Sequence, residues 1–302
     1  MIVALSGGIG GAKLALGLSH LLPPDELLVV ANTGDDFEHL GLSISPDVDT
    51  LTYALAGLDN QELGWGRRDE SWAFMEALGS IGGETWFRLG DRDLALHVER
   101  TRRLRAGETL SAITADVARR LGVAPCILPM SDDPVRTRIL SEGGWIDFQY
   151  WFVREQTRPL VRAIEFAGAA LARPNPVLMA ALRDRPRAVV ICPSNPFISI
   201  EPILALPGLR EAIAGCGAPV IAVSPIIAGQ AVKGPTARMF QQAGVVPSAA
   251  AVAARYAGLL THYVMEPGDD ATGIEAAIIY APTLMRGLED KIALARAVLA
   301  AT

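Results

Sequence analysis

The chain has 302 residues, half of them apolar, enough to bury a large core in one or two domains. Its formal net charge of −6 argues against a nucleic-acid or membrane-surface partner, so any phosphate would have to be held by local cations, backbone N–H groups or a metal. Cys126, Cys192 and Cys216 lie far apart with no CxxC spacing, which argues against a disulfide framework or zinc site, and no apolar stretch reaches the ~18 residues that span a bilayer. Met1–Leu5 reads as a buried strand, and Leu14, Leu18, Leu21 and Leu22 carry helical spacing after it. Between them, Ser6-Gly7-Gly8-Ile9-Gly10-Gly11-Ala12-Lys13 has the make-up of a phosphate cradle: glycines for close backbone approach, a helix start and a lysine. It is neither a full dinucleotide fingerprint nor a Walker A loop, and a tight turn with no ligand is the plain alternative. The direct run from the N-terminus into strand, without a basic leader, makes a soluble cytoplasmic protein the expectation.

Leu27–Ala31 is a second buried strand, ending in Asn32-Thr33-Gly34-Asp35-Asp36 at the carboxyl end, where open α/β sheets place ligands. Ser45-Pro46-Asp47-Val48-Asp49-Thr50 follows, ahead of a helix expected from Leu51, with Asp49 or Thr50 as its cap. Asp35, Asp36, Asp47 and Asp49 fall within fifteen positions of one another. Carboxylates packed so closely repel unless a cation or hydrogen-bond donors neutralise them, and carboxylates are the usual holders of Mg²⁺ beside phosphates. A metal site and a simple turn plus cap both remain open from spacing alone.

Residues 57–124 read as a small helical insertion, with helices at Ser71–Leu78, Asp91–Arg103 and Ser111–Leu121. Asp91 reads as a helix cap and Arg100–Arg105 as a solvated basic face, with supply of charge over a cleft as the alternative. Strand character returns at Pro125–Met130, ending in Ser131-Asp132-Asp133-Pro134. A hairpin is expected about Gly143-Gly144, joining Thr137–Leu140 to Ile146–Tyr150, and the aromatics from Trp145 to Phe152 read chiefly as core. Ala188–Cys192 leads into Pro193-Ser194-Asn195-Pro196, a rigid loop able to present an amide to a base, and Ala218–Val223 repeats the arrangement. Helix Ala249–Leu260, strand His262–Met265 and helix Met285–Leu299 complete the chain. Five strand ends carrying small polar residues, with helices between, describe a doubly wound, mainly parallel sheet formed by residues 1–56 and 125–302.

Taken in order, Ser6-Gly-Gly-Ile-Gly-Gly-Ala-Lys13, Asn32-Thr-Gly-Asp-Asp, Ser45-Pro-Asp-Val-Asp-Thr, Trp65-Gly, Leu89-Gly-Asp-Arg-Asp, Leu128-Pro-Met-Ser-Asp-Asp-Pro-Val, Pro193-Ser-Asn-Pro and Val223-Ser-Pro-Ile-Ile resemble the CofD family. These are the 2-phospho-L-lactate transferases of coenzyme F-420 (deazaflavin) biosynthesis. The resemblance runs to about Gly234 and is weaker beyond. It implies a Rossmann-like domain with a small helical domain, as a homodimer. The implied reaction moves a phospholactyl-type group from a guanosine-diphospho donor to the ribityl hydroxyl of the deazaflavin Fo, with Mg²⁺ and release of GMP. Gly7, Gly8, Gly10, Gly11 and Lys13 would hold the donor phosphates, with Ser194, Asn195 and Pro196 lining a base or deazaflavin pocket. Asp35, Asp36, Asp47 and Asp49 would be the metal ligands, and Asp47 and Asp49 the catalytic pair with Asp49 as base. Asp49, Thr50, Asp132 and Asp133 would face the deazaflavin. The chain departs from the family pattern at Ile9-Gly10-Gly11-Ala12, where archaeal members tend to have Thr-Gly-Thr-Pro, and at Thr261, where a carboxylate is common. A non-enzymatic nucleotide-sugar regulator of the related YvcK type is the alternative. An NAD(P)-binding protein is disfavoured because Asn32 stands where an acidic residue is expected.

Overall fold

The computed structural model describes residues 1–232 and 234–302; Lys233 lies outside the described residues. The elements run β1 (Ile2–Ser6), α1 (Gly8–Ser19), β2 (Leu27–Ala31), a hairpin of β3 (Phe37–His39) and β4 (Leu42–Ile44), and α2 (Pro46–Leu55). Three helices follow, α3 (Ala73–Ser80), α4 (Asp91–Arg105) and α5 (Leu110–Arg120), then β5 (Cys126–Pro129). Next come β6 (Arg136–Ser141), β7 (Gly144–Asp147), β8 (Ala163–Ala167), α6 (Pro176–Arg183), β9 (Ala188–Ile191), α7 (Glu201–Leu204), α8 (Leu209–Gly215) and β10 (Val220–Val223). A two-residue ribbon, β11 (Ile226–Ile227) with β12 (Gln230–Ala231), precedes α9 (Thr236–Gln242), α10 (Ala249–Arg255), β13 (His262–Met265), β14 (Ala277–Tyr280) and α11 (Leu288–Leu299).

Seven strands form a parallel sheet in the order β14-β13-β10-β9-β1-β2-β5. β1, β2, β9 and β10 are buried along their whole length, because helices cover both faces. Their side chains divide by alternation: Val3, Leu5, Val189 and Ile191 enter one apolar core, while Ile2, Ala4, Ala188 and Val190 enter the other. The chain leaves β1 towards β2 and β5, then returns to the opposite side of β1 at β9. The reversal opens a crevice beyond the carboxyl ends of β1 and β9, the general position for a ligand in such sheets.

The β3–β4 hairpin and the helices after it share a smaller core of Phe37, Ile44, Met75 and Leu89. α5 packs its Ala118 into one of the main cores and so serves as part of the crossover to β5. A separate antiparallel sheet, β7-β6-β8, stands beside the main one.

Several boundaries differ from the sequence expectations. α2 begins at Pro46 with Ser45 as the residue before it, so Asp47 and Asp49 lie inside the first turn. Proline at a first helical position loses no hydrogen bond and has the right φ. α1 begins at Gly8, leaving Gly10, Gly11 and Lys13 helical. The hairpin turn is Glu142-Gly143, Ser141 pairing with Gly144, and β7 ends at Asp147; Tyr150 begins a wide helical turn to Arg154. Of the nearby aromatics, Phe148 and Trp151 are core, whereas Trp145 and Phe152 are exposed.

Candidate active site

Three carboxylates and the start of α1 converge in the crevice. Ser6 ends β1, and Gly7 and Gly8 turn the chain into α1; Gly8 takes φ +63°, a conformation that glycine adopts without a Cβ penalty. The Gly7 N–H donates to Ser194 Oγ at 3.2 Å, joining the turn after β1 to the loop after β9. The Gly8 N–H donates to Asp47 Oδ1 at 2.5 Å, so a carboxylate already occupies the positive end of the α1 dipole. A Cβ on Gly10 would collide with the Pro193 carbonyl, and one on Gly11 with Ser6 and Ser194 side chains. These glycines therefore serve close packing of the chain on itself at the mouth of the crevice.

Asn32, at the end of β2, organises the acids. Its side-chain amide donates to Asp47 Oδ2 at 2.9 Å and lies 3.4 Å from Asp35 Oδ1, while its carbonyl oxygen accepts from the Gly34 N–H at 2.8 Å. Ser45 Oγ donates to Asp36 Oδ2 at 2.8 Å, and Asp36 Oδ1 is buried with no hydrogen-bond partner. Asp35, Asp36 and Asp47 are each less than 8% exposed. Burial pushes the Asp36 carboxyl up to about 7, against the pull of Arg136 and Ser45. Burial pushes Asp47 up to about 6, opposed by Asn32 and the Gly8 N–H. Asp35 stands well above the usual carboxylate range through burial, with Asp47 and Asp36 adding repulsion. Buried carboxylates short of positive charge, one with an unsatisfied oxygen, supply hard oxygen donors of the kind that hold Mg²⁺, but the three do not bring ligand atoms within 4.8 Å of one another.

Asp49 behaves differently. Arg100 of α4, 3% exposed, grips both Asp49 oxygens, at 3.0 Å through one nitrogen and in closer contact through the other. His97 Nδ1 lies 3.4 Å from Arg100, and His97 Nε2 lies 3.2 Å from Asp93 Oδ2; Asp93 Oδ1 accepts from Tyr53 Oη at 2.5 Å. Asp49, Asp93 and His97 bring possible ligand atoms within 4.8 Å of one another. The Arg100 guanidinium already neutralises that group, which therefore reads as an ionic lock between α2 and α4. The expectation of a solvated basic face thus holds for Arg102 and Arg105 but fails for Arg100. Asp93, His97 and Arg100 sit at i, i+4 and i+7 on α4, a spacing that shares one helix face and was the available signal. Asn32 and Ser45 also went unassigned, because which polar residue faces the acids depends on how β2 and α2 meet.

The remaining predicted residues are scattered more widely. Lys13 Nζ donates to the Met285 carbonyl at 2.7 Å, so it reaches towards the C-terminal region. Ser194 and Pro196 are buried beside the α1 start, and Asn195 Oδ1 caps the turn after it by accepting from the Phe197 N–H at 2.9 Å. Thr50 lines a separate cavity with Trp65 and Gly66. Asp132 accepts from the Ser111 N–H at the start of α5, and Asp133 pairs with Arg173 at 3.1 Å; no hydrogen bond among the described residues ties either to the acid cluster. Asp91 does cap a helix, but the neighbouring one: its carboxylate accepts from Ala73 and Phe74 at the start of α3.

The profile of the family described as 2-phospho-L-lactate transferase CofD matches residues 2–275. The chain belongs to the CofD family. Among curated proteins it is 40% identical to a phosphoenolpyruvate transferase of Streptomyces griseus over 98% of this chain and 96% of that one. It is 41% identical to the phosphoenolpyruvate transferase of Kitasatospora aureofaciens, over 99% and 97% of the two chains. As a member of this family the protein is a transferase acting on a phosphate-linked group. A solved Bacillus halodurans protein of the UPF0052 family superposes with a TM-score of 0.64 at 15% identity, covering 99% of both chains, and shares the fold. Among the described residues, no helix is long and apolar enough to cross a membrane.

Proposed function

We propose that this CofD-family transferase moves a phospholactyl-type group (2-phospholactate, phosphoenolpyruvate or 3-phosphoglycerate) from a guanosine-diphospho donor to the ribityl hydroxyl of the deazaflavin Fo, releasing GMP in coenzyme F-420 biosynthesis. The relatives' naming as phosphoenolpyruvate transferases favours phosphoenolpyruvate as the acid carried. The observation that carries the reading is the convergence of Asp35, Asp36 and Asp47 on the first turn of α1 at the sheet's reversal point.

Displacement at a diphosphate demands charge neutralisation and in-line positioning more than covalent help from the protein. Asp35 and Asp47 would hold Mg²⁺ with Asp36 beside them; when bound, the cation supplies neutralisation of the developing phosphate charge. Of the α1 start, only the N–H groups beyond Gly8, from Ile9 on, would be left to orient the donor phosphates, since those of Gly7 and Gly8 are held by Ser194 and Asp47. As the acceptor oxygen bonds to phosphorus and the bond to the GMP oxygen breaks, the hydroxyl proton passes to a carboxylate. Asp36 suits that step, because Oδ1 has no donor and its carboxyl is pushed up to about 7, near the working pH. Asp49 is the poorer base, since Arg100 engages both its oxygens. It would instead fix the wall that the deazaflavin meets.

Purified protein incubated with Fo, Mg²⁺ and each of the three guanosine-diphospho donors should yield a phosphodiester product and stoichiometric GMP by chromatography with mass detection. Tight binding of a nucleotide sugar with no transfer from any donor would replace this reading with a regulator.

A further inference from the structure

A second cluster of charge, next to the acids but of opposite sign, has no role in the steps above. Between α1, α2, the segment around Trp65 and the start of α11 lies a cavity of about 100 Å³, room for a few waters or one small oxyanion. Lys13, Arg286 and Lys291 all line it, with Thr50 and Trp65 among the other walls. Lys291 is only 6% exposed, yet its ammonium has no hydrogen-bond or ion-pair partner among the described residues. It is also the fourth residue of α11, near the positive end of the helix dipole, where a cation is disfavoured. Packing holds it there, since the Lys291 carbonyl lies where a Cβ on Gly17 of α1 would be. Of the acids nearby, Asp59 shares the lining, while the Asp290 carboxylate accepts from the N–H groups of Arg286 and Gly287. Positive charge is in excess at the cavity, and like charges gathered on one wall repel unless an anion joins them.

We propose that this cavity is an anion subsite, taking the phosphate or carboxylate group of a small organic substrate through Lys291, Lys13 and Arg286. Trp65 supplies an apolar wall beside it. Ile9 follows Gly8, and Thr50 lies one helical turn beyond Asp47, so the near rim adjoins the acid cluster. A molecule anchored here by its anionic end can present its other end to that cluster. The transferase reading enters only in naming which molecule this is; the charge argument stands apart from it.

The test is binding, with turnover left aside. Inorganic phosphate and pyruvate, probes of the two anion types, are titrated into wild type and Lys291→Met by calorimetry, with thermal melts in parallel. Wild type should bind at least one of them and gain Tm from it. Lys291→Met should bind at least tenfold more weakly, lose the anion-dependent gain, and without ligand melt close to wild type because the aliphatic stem that packs is kept. Arg286→Gln, at an exposed position, serves as the second variant and should weaken binding severalfold. Unchanged affinity in both variants, or no binding of either anion to wild type, overturns the proposal. Anion binding by wild type that Lys291→Met loses, in a chain that shows no transfer activity, leaves the subsite standing and the enzyme reading fallen; transfer with no such binding leaves the enzyme reading standing and the subsite fallen.

Discussion

Asp36 and Asp49 are both buried and sit near each other in the fold, yet their surroundings give them opposite chemistry. Asp36 has one oxygen held by Ser45 and the other unsatisfied, whereas Asp49 is clamped by Arg100. On that basis Asp36→Asn should lower kcat by at least ~100-fold with little change in KM for the donor, the loss expected when a general base is removed. Steady-state kinetics on a variant with wild-type melting behaviour would check it; an equal loss in KM alone would point to binding instead. Asp47→Asn should raise the Mg²⁺ concentration needed for half-maximal rate. Arg100→Ala leaves Asp49 buried and unpaired, and breaking such a pair costs ~3–5 kcal/mol. Urea unfolding should show that loss, and Arg100→Ala combined with Asp49→Leu should recover much of it. If the double variant is no better than the single, Arg100 stabilises through something other than Asp49.

At the scale of elements, glycines set how closely helices approach. Gly17 lets α1 lie against the backbone of α11 at Lys291, and Gly10 lets the start of α1 lie against the carbonyl of Pro193. Gly17→Ala must push α11 outward, and overpacking of this kind costs ~1–3 kcal/mol. A lowered Tm together with faster hydrogen exchange in residues 288–299 is the expected signature; unchanged exchange would show that the strain is absorbed elsewhere. The elements with strong apolar runs were legible in the sequence: β1, β2, β9 and β10 all stand where Val, Ile and Leu cluster. Boundaries were poorer where polar residues begin a helix. Asp49 and Thr50 look like caps, but Pro46 starts α2 one turn earlier, and both acids end up buried, Asp47 towards α1 and Asp49 towards α4. β14 escaped notice, since Ala277–Tyr280 is a half-exposed edge strand of only four residues.

For the whole molecule, the acid cluster sets the sign of the pH dependence. Asp35, Asp36 and Asp47 have folded carboxyls raised above an ordinary unfolded value near ~4. Between that value and about 7 the folded chain therefore binds more protons than the unfolded one, and stability falls as pH rises across the interval. Without divalent cation, Tm should be higher at pH 5 than at pH 8. Saturating Mg²⁺ should raise Tm more at pH 8 than at pH 5, because the cation replaces the protons. Melts at both pH values, with Mg²⁺ and with chelator, would decide it; a cation effect that does not grow with pH would remove Asp35, Asp36 and Asp47 as its holders.

The amino-acid order by itself determined that this is an α/β protein, that its acids follow the second strand, and that its motifs run in CofD order. Those features are local: apolar runs, glycine turns and short spacings survive without knowledge of what packs on them. Only the tertiary structure decided which acid is free and which is locked. Arg100 lies fifty-one positions from Asp49, and the partner of a buried charge is chosen by helix packing. The same holds for Lys13 and Lys291, brought to one cavity by the contact of α1 with α11 across nearly the full length of the chain.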